Sequence, residues 1–357
     1  MSARGIERGS RPVAPIDAGV PKETGETFVP VRLASLRIRT ATPFDLYLRQ
    51  GSGKAYVLYR GKDLQFTEAA RQRLADNGVN FLYVPNSQAG AYRQYVEENL
   101  SQILADPDVP VEQKSHILYD SAMSLSRDVF ENPRSGELFS RCEGMVRHEV
   151  EFVIGQKAAF ENLLKVTSYD YYTYTHSVNV SLFCIAIVHT MGGDEDELQR
   201  IGNGAMLHDI GKTMVPPDIL NAPGKLSDEQ WQIMRLHPVY GYNMLKGQGC
   251  TDGLVLDMVR HHHEKLSGMG YPDRLSEQKL SEVARVGAVA DIFDALTTRR
   301  AYKDALPAPD AFGLMHRAMR EELDLDILKH FVELFGTSRP SRMETQPADA
   351  DPDRTTT

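Results

Sequence analysis

Histidine and aspartate recur through one part of the chain in groups able to ligate metal: His176, His208-Asp209, His237, His262-His263 and Asp291. Neutral imidazole offers a nitrogen ligand. Aspartate offers a hard anionic oxygen that can bridge two cations. Taken singly, each residue fits a structural histidine or an ordinary surface carboxylate as well as it fits a ligand. The neighbouring residues sharpen the reading. His208-Asp209 is followed by Ile210-Gly211-Lys212. On a helix, Asp209 and Lys212 fall on neighbouring positions of one face. The lysine could there meet the charge of a phosphate, or the two could form a plain surface contact. His262 and His263 are adjacent, and adjacent side chains on a helix diverge by about 100°. Two ligands there suit a helix end or a site between helices. In the segment that follows, Glu264 to Pro272, Gly268 and Gly270 make a flexible loop and Tyr271-Pro272 stiffens its exit.

Elements must position these groups. Beyond Val166 the chain reads as mostly helical, with polar and Gly/Pro-rich connections. From Tyr92 to Val166 it is also helical: Lys114–Tyr119 and Leu138–Ile154 carry apolar residues at three- and four-residue spacing, and Asn132–Glu137 breaks the run. Ahead of this, Phe28–Pro85 reads as a small α/β module. Its strands are expected over Val31–Ile38, Asp45–Leu48 and Ala55–Tyr59, the last two flanking a turn at Gly51–Lys54. A short helix begins at a Thr67 cap, and Phe81–Val84 forms a strand stopped by Pro85. The fold class is therefore mainly α, a helical bundle preceded by a small α/β module. The expected organisation is a disordered leader over 1–26, the module over 27–90, regulatory or packing in role, and a helical connector over 91–150. A catalytic domain over 151–336 and a disordered tail over 337–357 complete it.

The chain has 357 residues, with 41% hydrophobic and 25% charged, ordinary for a globular protein. A formal charge of -9 argues against coating polymeric nucleic acid or anionic membrane, and leaves room for a small phosphate-bearing ligand. The three cysteines are far apart, giving no disulfide framework and no thiolate zinc site, so a reducing cytoplasm is the expected compartment. The N-terminus lacks a signal-like apolar stretch, and no apolar run is long enough for a membrane helix.

His208-Asp-Ile-Gly-Lys212, then His237-Pro238, then His262-His-Glu-Lys-Leu-Ser-Gly-Met-Gly-Tyr-Pro272, and finally Ala290-Asp-Ile-Phe-Asp-Ala-Leu-Thr-Thr-Arg-Arg-Ala-Tyr-Lys303 resemble the HD-GYP subgroup of the HD phosphohydrolases. The resemblance covers roughly residues 150 to 335. It implies a helical bundle around a metal cluster that hydrolyses cyclic di-GMP to pGpG, GMP or both. It implies two divalent ions, one held by His176, His208 and Asp291, the other by His237, His262 and His263, with Asp209 bridging. Lys212 would lie beside the scissile phosphate, and Tyr271, Arg300 and Lys303 would help hold the ligand. Two cations about 3.5–4 Å apart suit phosphodiester cleavage by a metal-bridging hydroxide, because they quench repulsion of the nucleophile and stabilise the added charge. Ligation by nitrogen and oxygen without thiolate suits iron or manganese and does not exclude zinc.

The sequence departs from the family pattern at three positions. Tyr172 stands where some members carry a Glu ligand for a third metal, so two metals are expected. Ser267 replaces an Asp and Ala301 a Pro, changes expected to touch affinity and rate rather than the metals. His189, His261, His316 and His330 fit structural or surface roles, Asp294 orients a neighbour, and Tyr169–Tyr174 packs a helix or walls the ligand pocket. Two further readings stand beside the enzyme: a slow cyclic dinucleotide sensor, and an HD hydrolase of another cyclic dinucleotide. The helices between Tyr92 and Val166 also suit a homodimer.

Overall fold

A computed structural model describes residues 26–50, 55–156, 158–167, 173–299 and 304–336. The expected leader, the Gly51–Lys54 turn, Tyr172, Arg300, Ala301, Lys303 and the tail lie outside the described residues, apart from Glu26.

The N-terminal module is an antiparallel sheet of β1 (Phe28–Arg32), β2 (Leu46–Gln50), β3 (Ala55–Arg60) and β4 (Phe81–Pro85) in the order β1-β4-β2-β3. The strand expected over Val31–Ile38 stops at Arg32. Leu33–Ser35 turns into a 3-10 helix, held where Ser35 Oγ donates to Arg32 O at 2.7 Å. Leu33, Ala34, Ser35 and Leu36 are all buried, a continuous run that a half-exposed strand could not provide. The helix α1 (Glu68–Asp76) packs beside the sheet, and its Thr67 cap accepts from Ala70 N at 3.3 Å.

Helices follow: α2 (Ala89–Ala105), α3 (Val111–Glu131), α4 (Gly136–Gly155), α5 (Ala159–Val166), α6 (Thr173–Met191) and α7 (Glu195–Leu207). A 3-10 helix over Ile210–Met214 comes next, then the short α8 (Pro217–Leu220) and α9 (Asp228–Met234). The remainder is α10 (His237–Gly247), α11 (Gly253–His261), α12 (Glu282–Thr297), α13 (Ala308–Ala318) and α14 (Leu325–Gly336). Mainly helical architecture with a small sheet at the start is what the sequence pattern requires. The boundary expected at 150/151 falls inside α4. That helix packs on α6 and α7, and α3 packs on α6, so these helices belong to the bundle rather than to a connecting arm.

Helix α6 is the axis. It is buried from Thr175 through Val188, because α3, α7, α12 and α14 surround it. A helix covered on every side needs no polar stripe, so any polar residue within it must find its partner inside the protein. Phe183, Phe293, Phe312, Phe331 and Phe335 interlock edge-on or stacked and fix α13 and α14 against this axis. Glycines let the helices beside the axis come close. A side chain on Gly211 would lie 1.9 Å from the carbonyl oxygen of His237, so the turn after His208-Asp209 presses directly on the start of α10.

Candidate metal centre

The central helix delivers His176, His208 and Asp209 follow the end of α7, α10 begins with His237, His262 and His263 follow the end of α11, and α12 carries Asp291. Five chain segments thus bring polar side chains to one buried spot. His176, His208, Asp209, His237 and His262 are each 1% exposed. Asp209 and Lys212 do not lie on a regular α-helix: Asp209 caps the 3-10 helix, in which positions three apart eclipse. That brings Lys212 Nζ to 2.5 Å from Asp209 Oδ2.

Backbone carbonyls set the ring tautomers. His208 Nδ1–H donates to Ala205 O at 2.7 Å and His237 Nδ1–H to Met234 O at 2.8 Å. His262 Nδ1–H is shared by Met258 O and Val259 O at 3.1 Å each. A carbonyl can only accept, so each Nδ1 holds the proton and each Nε2 presents a lone pair. In His176 a carboxylate takes the carbonyl's place. Asp294 Oδ2 accepts from Nδ1 at 2.7 Å, while Asn179 Nδ2 and Thr298 Oγ1 donate to Asp294 Oδ1 at 2.7 and 3.1 Å.

The four Nε2 atoms point inward. His176 and His208 approach to 3.2 Å, and His237 and His262 to 3.4 Å. Asp209 sits between the pairs. Its Oδ2 is 3.6 and 3.4 Å from the Nε2 atoms of His176 and His208, and its Oδ1 is 3.2 and 3.9 Å from those of His237 and His262. Asp209 Oδ1 is buried and has no satisfying hydrogen bond. Lone pairs and a carboxylate converging without donors repel one another, and a cation is the group that satisfies them all. The ligand atoms of His176, His208 and Asp209 lie within 4.8 Å of one another, as do those of Asp209, His237, His262 and His263. Asp291 spans the two sets, with Oδ1 3.1 Å from His176 Nε2 and Oδ2 3.5 Å from His263 Nδ1.

Charge states agree with this arrangement. Burial alone would raise the Asp209 carboxyl, yet the Lys212 ammonium outweighs it and holds the group well below the usual carboxylate range. Asp291 is likewise held well below the usual carboxylate range, against the opposing effect of burial. Burial keeps His262 and His263 neutral, the latter pushed down to about 3. Charged carboxylates beside neutral imidazoles are the protonation states that metal binding requires.

The loop after His263 is pinned by a residue to which sequence reasoning gave no role. Glu264, 2% exposed, accepts from the backbone N–H groups of Asp273, Arg274 and Leu275 at 2.7, 2.9 and 3.1 Å. Gly270 is needed because a side chain there would lie 2.4 Å from Glu264 Cα. Tyr271 thereby lies against His263, ring centroids 4.7 Å apart. Ser267 Oγ accepts from Met269 N at 3.4 Å. His261 faces outward to Asp257 and Asp273 at 2.6 and 3.0 Å. His189 and His316 are exposed, and His330 lies 3.9 Å from Glu333. The signal for Asn179 and Asp294 was present: each stands three residues after an inward-facing ligand candidate, on the same helical face.

The family model described as HD domain matches residues 142–327. A protein of Pseudomonas aeruginosa named cyclic di-GMP phosphodiesterase PA4108 is 31% identical over 290 residues, covering 78% of this chain and 70% of that protein. The 3'3'-cGAMP-specific phosphodiesterase 2 of Vibrio cholerae is 38% identical over 160 residues, which are 44% of this chain and 29% of that protein. Among solved structures, Bd1817, a HDG"Y"P protein from Bdellovibrio bacteriovorus, superposes with a TM-score of 0.60 at 22% identity, covering 87% of this chain and all of that one.

Proposed function

The chain belongs to the HD domain family, in its HD-GYP form, and on that premise we propose that it is a cyclic di-GMP phosphodiesterase yielding pGpG, GMP or both. The observation that carries the reading is the inward convergence of four imidazole lone pairs on Asp209, whose own Oδ1 lacks a satisfying hydrogen bond. His176, His208 and Asp291 would hold one divalent ion and His237, His262 and His263 the other, with Asp209 shared between them. Iron or manganese suits this donor set. Bound there, such ions supply Lewis-acid charge to phosphate oxygens and lower the pKa of water.

The chain's own residues do the rest. Asp294 and the carbonyls of Ala205, Met234 and Met258 keep each imidazole in its ligating tautomer. Lys212, held on Asp209, places a cation at the edge of the cluster, where it stabilises charge that grows on the phosphate. Tyr271, packed on His263, walls the site against water on one side. Arg300 and Lys303, which lie outside the described residues, would add ligand contacts by the family resemblance. We propose further that it acts in the cytoplasm as a homodimer, and a monomeric mass by light scattering would overturn the dimer. Among the described residues no helix is long and apolar enough to cross a membrane.

Anaerobic purification, metal counting and incubation with cyclic di-GMP test the proposal, with Asp209→Ala beside the wild type. Two metals per chain, and products that vanish in the variant, are expected. Metal and ligand retained without turnover would favour a sensor. The Vibrio cholerae relative named for 3'3'-cGAMP makes that dinucleotide a second substrate to assay in the same panel.

A further inference from the structure

Tyr271 is covered on one side by His263, and beside it stands the guanidinium of Arg235, 5.6 Å from the ring centroid. The same guanidinium lies 5.9 Å from the ring of Trp231, one turn back on α9. His263, Tyr271, Arg235 and Trp231 therefore form a ladder that leads from the metal cluster to the surface. At its outer end Trp231 is 45% exposed. Arg235 makes no ion pair among the described residues and is exposed itself. The rim is apolar around it: Met214, Leu236 and Met269 are exposed large side chains, and each stands within two residues of Lys212, His237 or Tyr271. An exposed indole beside an unpaired guanidinium, at the lip of a phosphate-handling cluster, is a surface suited to a nucleobase.

Resting on the reading of the site given above, we propose that Trp231 and Arg235 form the base-recognition wall: Trp231 stacks a guanine of the substrate, and Arg235 reads its O6 and N7 edge. The guanidinium fork donates only. Guanine presents two acceptors on that edge, whereas adenine replaces one with an amino donor. The same wall therefore accepts guanine and disfavours adenine, a preference that the metal cluster and Lys212 cannot supply, because phosphate and ribose are common to both. The occupancy of Arg235 by two rings, rather than by a carboxylate, leaves its donors available.

Trp231 is the only tryptophan of the chain, so its fluorescence reports on this wall alone. Holoenzyme is titrated with a non-hydrolysable phosphorothioate analogue of cyclic di-GMP and with its cyclic di-AMP counterpart. The guanine analogue is expected to quench the emission and the adenine analogue to bind at least about tenfold more weakly. In Arg235→Ala the two affinities should converge to within about threefold, because the discriminating bidentate contact is worth roughly that tenfold or more. Metal content should be unchanged in Arg235→Ala, which separates the wall from the metal cluster. Binding by calorimetry without quenching removes Trp231 from the wall. Equal weakening of both analogues in Arg235→Ala makes Arg235 a phosphate contact and overturns the inference. A wild type that hydrolyses cyclic di-GMP yet shows either result leaves the enzyme reading standing. A wild type that neither binds nor hydrolyses it sinks both.

Discussion

Asp294 Oδ2 lies 2.7 Å from Nδ1 of His176, and this contact spans 118 residues of sequence to fix one imidazole. Three of the other rings are oriented by a carbonyl three or four residues away in the chain. His176 sits in the first turn of α6, and a carboxylate from α12 does the same task for it.

Asp294→Asn should therefore cost metal affinity. An asparagine amide can donate to Nδ1 and turn the lone pair of His176 away from the cluster. A loss of about 10- to 100-fold is expected, read by competition with a metal chelator. Circular dichroism should show the helices intact. Unchanged affinity would mean that the ring is held by packing alone.

Stripping metal should destabilise the fold as well as stop turnover. The inward lone pairs and the unsatisfied Asp209 Oδ1 are costs that only the loaded state removes. At metal concentrations about 100-fold above Kd, binding contributes about 2.7 kcal/mol. The melting temperature should fall by about 5–10 °C on chelation. In Asp209→Ala, added metal should no longer raise it.

Glu264→Gln should loosen the loop without unfolding the bundle. Three backbone donors lose a charged acceptor, each such bond being worth about 1.5–3 kcal/mol to the local structure. A tenfold or larger fall in kcat/KM is expected, together with faster amide exchange over Asp273–Leu275. Wild-type exchange in that segment would show that the loop is held by other contacts.

Glu149, fully buried on α4, gives a dependence of stability on pH. Burial pushes its carboxyl from an ordinary 4.5 up to about 8, with Ser181 Oγ donating to Oε2 at 2.8 Å as the opposing influence. Between those values the folded chain keeps a proton that the unfolded chain releases. Stability is therefore greatest below the lower value and falls as pH rises through the upper one, by at most about 1.4 kcal/mol per unit. Glu149→Gln should flatten this slope and stabilise the protein at pH 8 more than at pH 6, in urea midpoints taken at both. Parallel slopes for variant and wild type would rule the mechanism out.

The sequence makes the centre legible where local chemistry dictates it. Gly211 must be small because a backbone presses on it, Gly270 for the same reason, and the histidines stand at segment ends whatever the tertiary details. The residues that support them were less visible. Asp294 is legible as a residue that orients a neighbour, whereas Glu264 and Asn179 look like surface residues until their partners are placed, because their burial is decided by helices distant in sequence. The break of the first strand at Arg32 escaped alternation for a similar reason: Leu33 to Leu36 are covered by packing that a single segment does not encode. The expected edge at 150/151 lies within α4, which runs from Gly136 to Gly155.

The separation between His176 and Asp294 bears on how the protein is made. A nascent chain that has released His176 from the ribosome lacks the group that settles its tautomer until about a hundred more residues have emerged. Shorter chains hold incomplete ligand sets, so capture of metal becomes a late event in biosynthesis and a checkpoint on completed synthesis through α12.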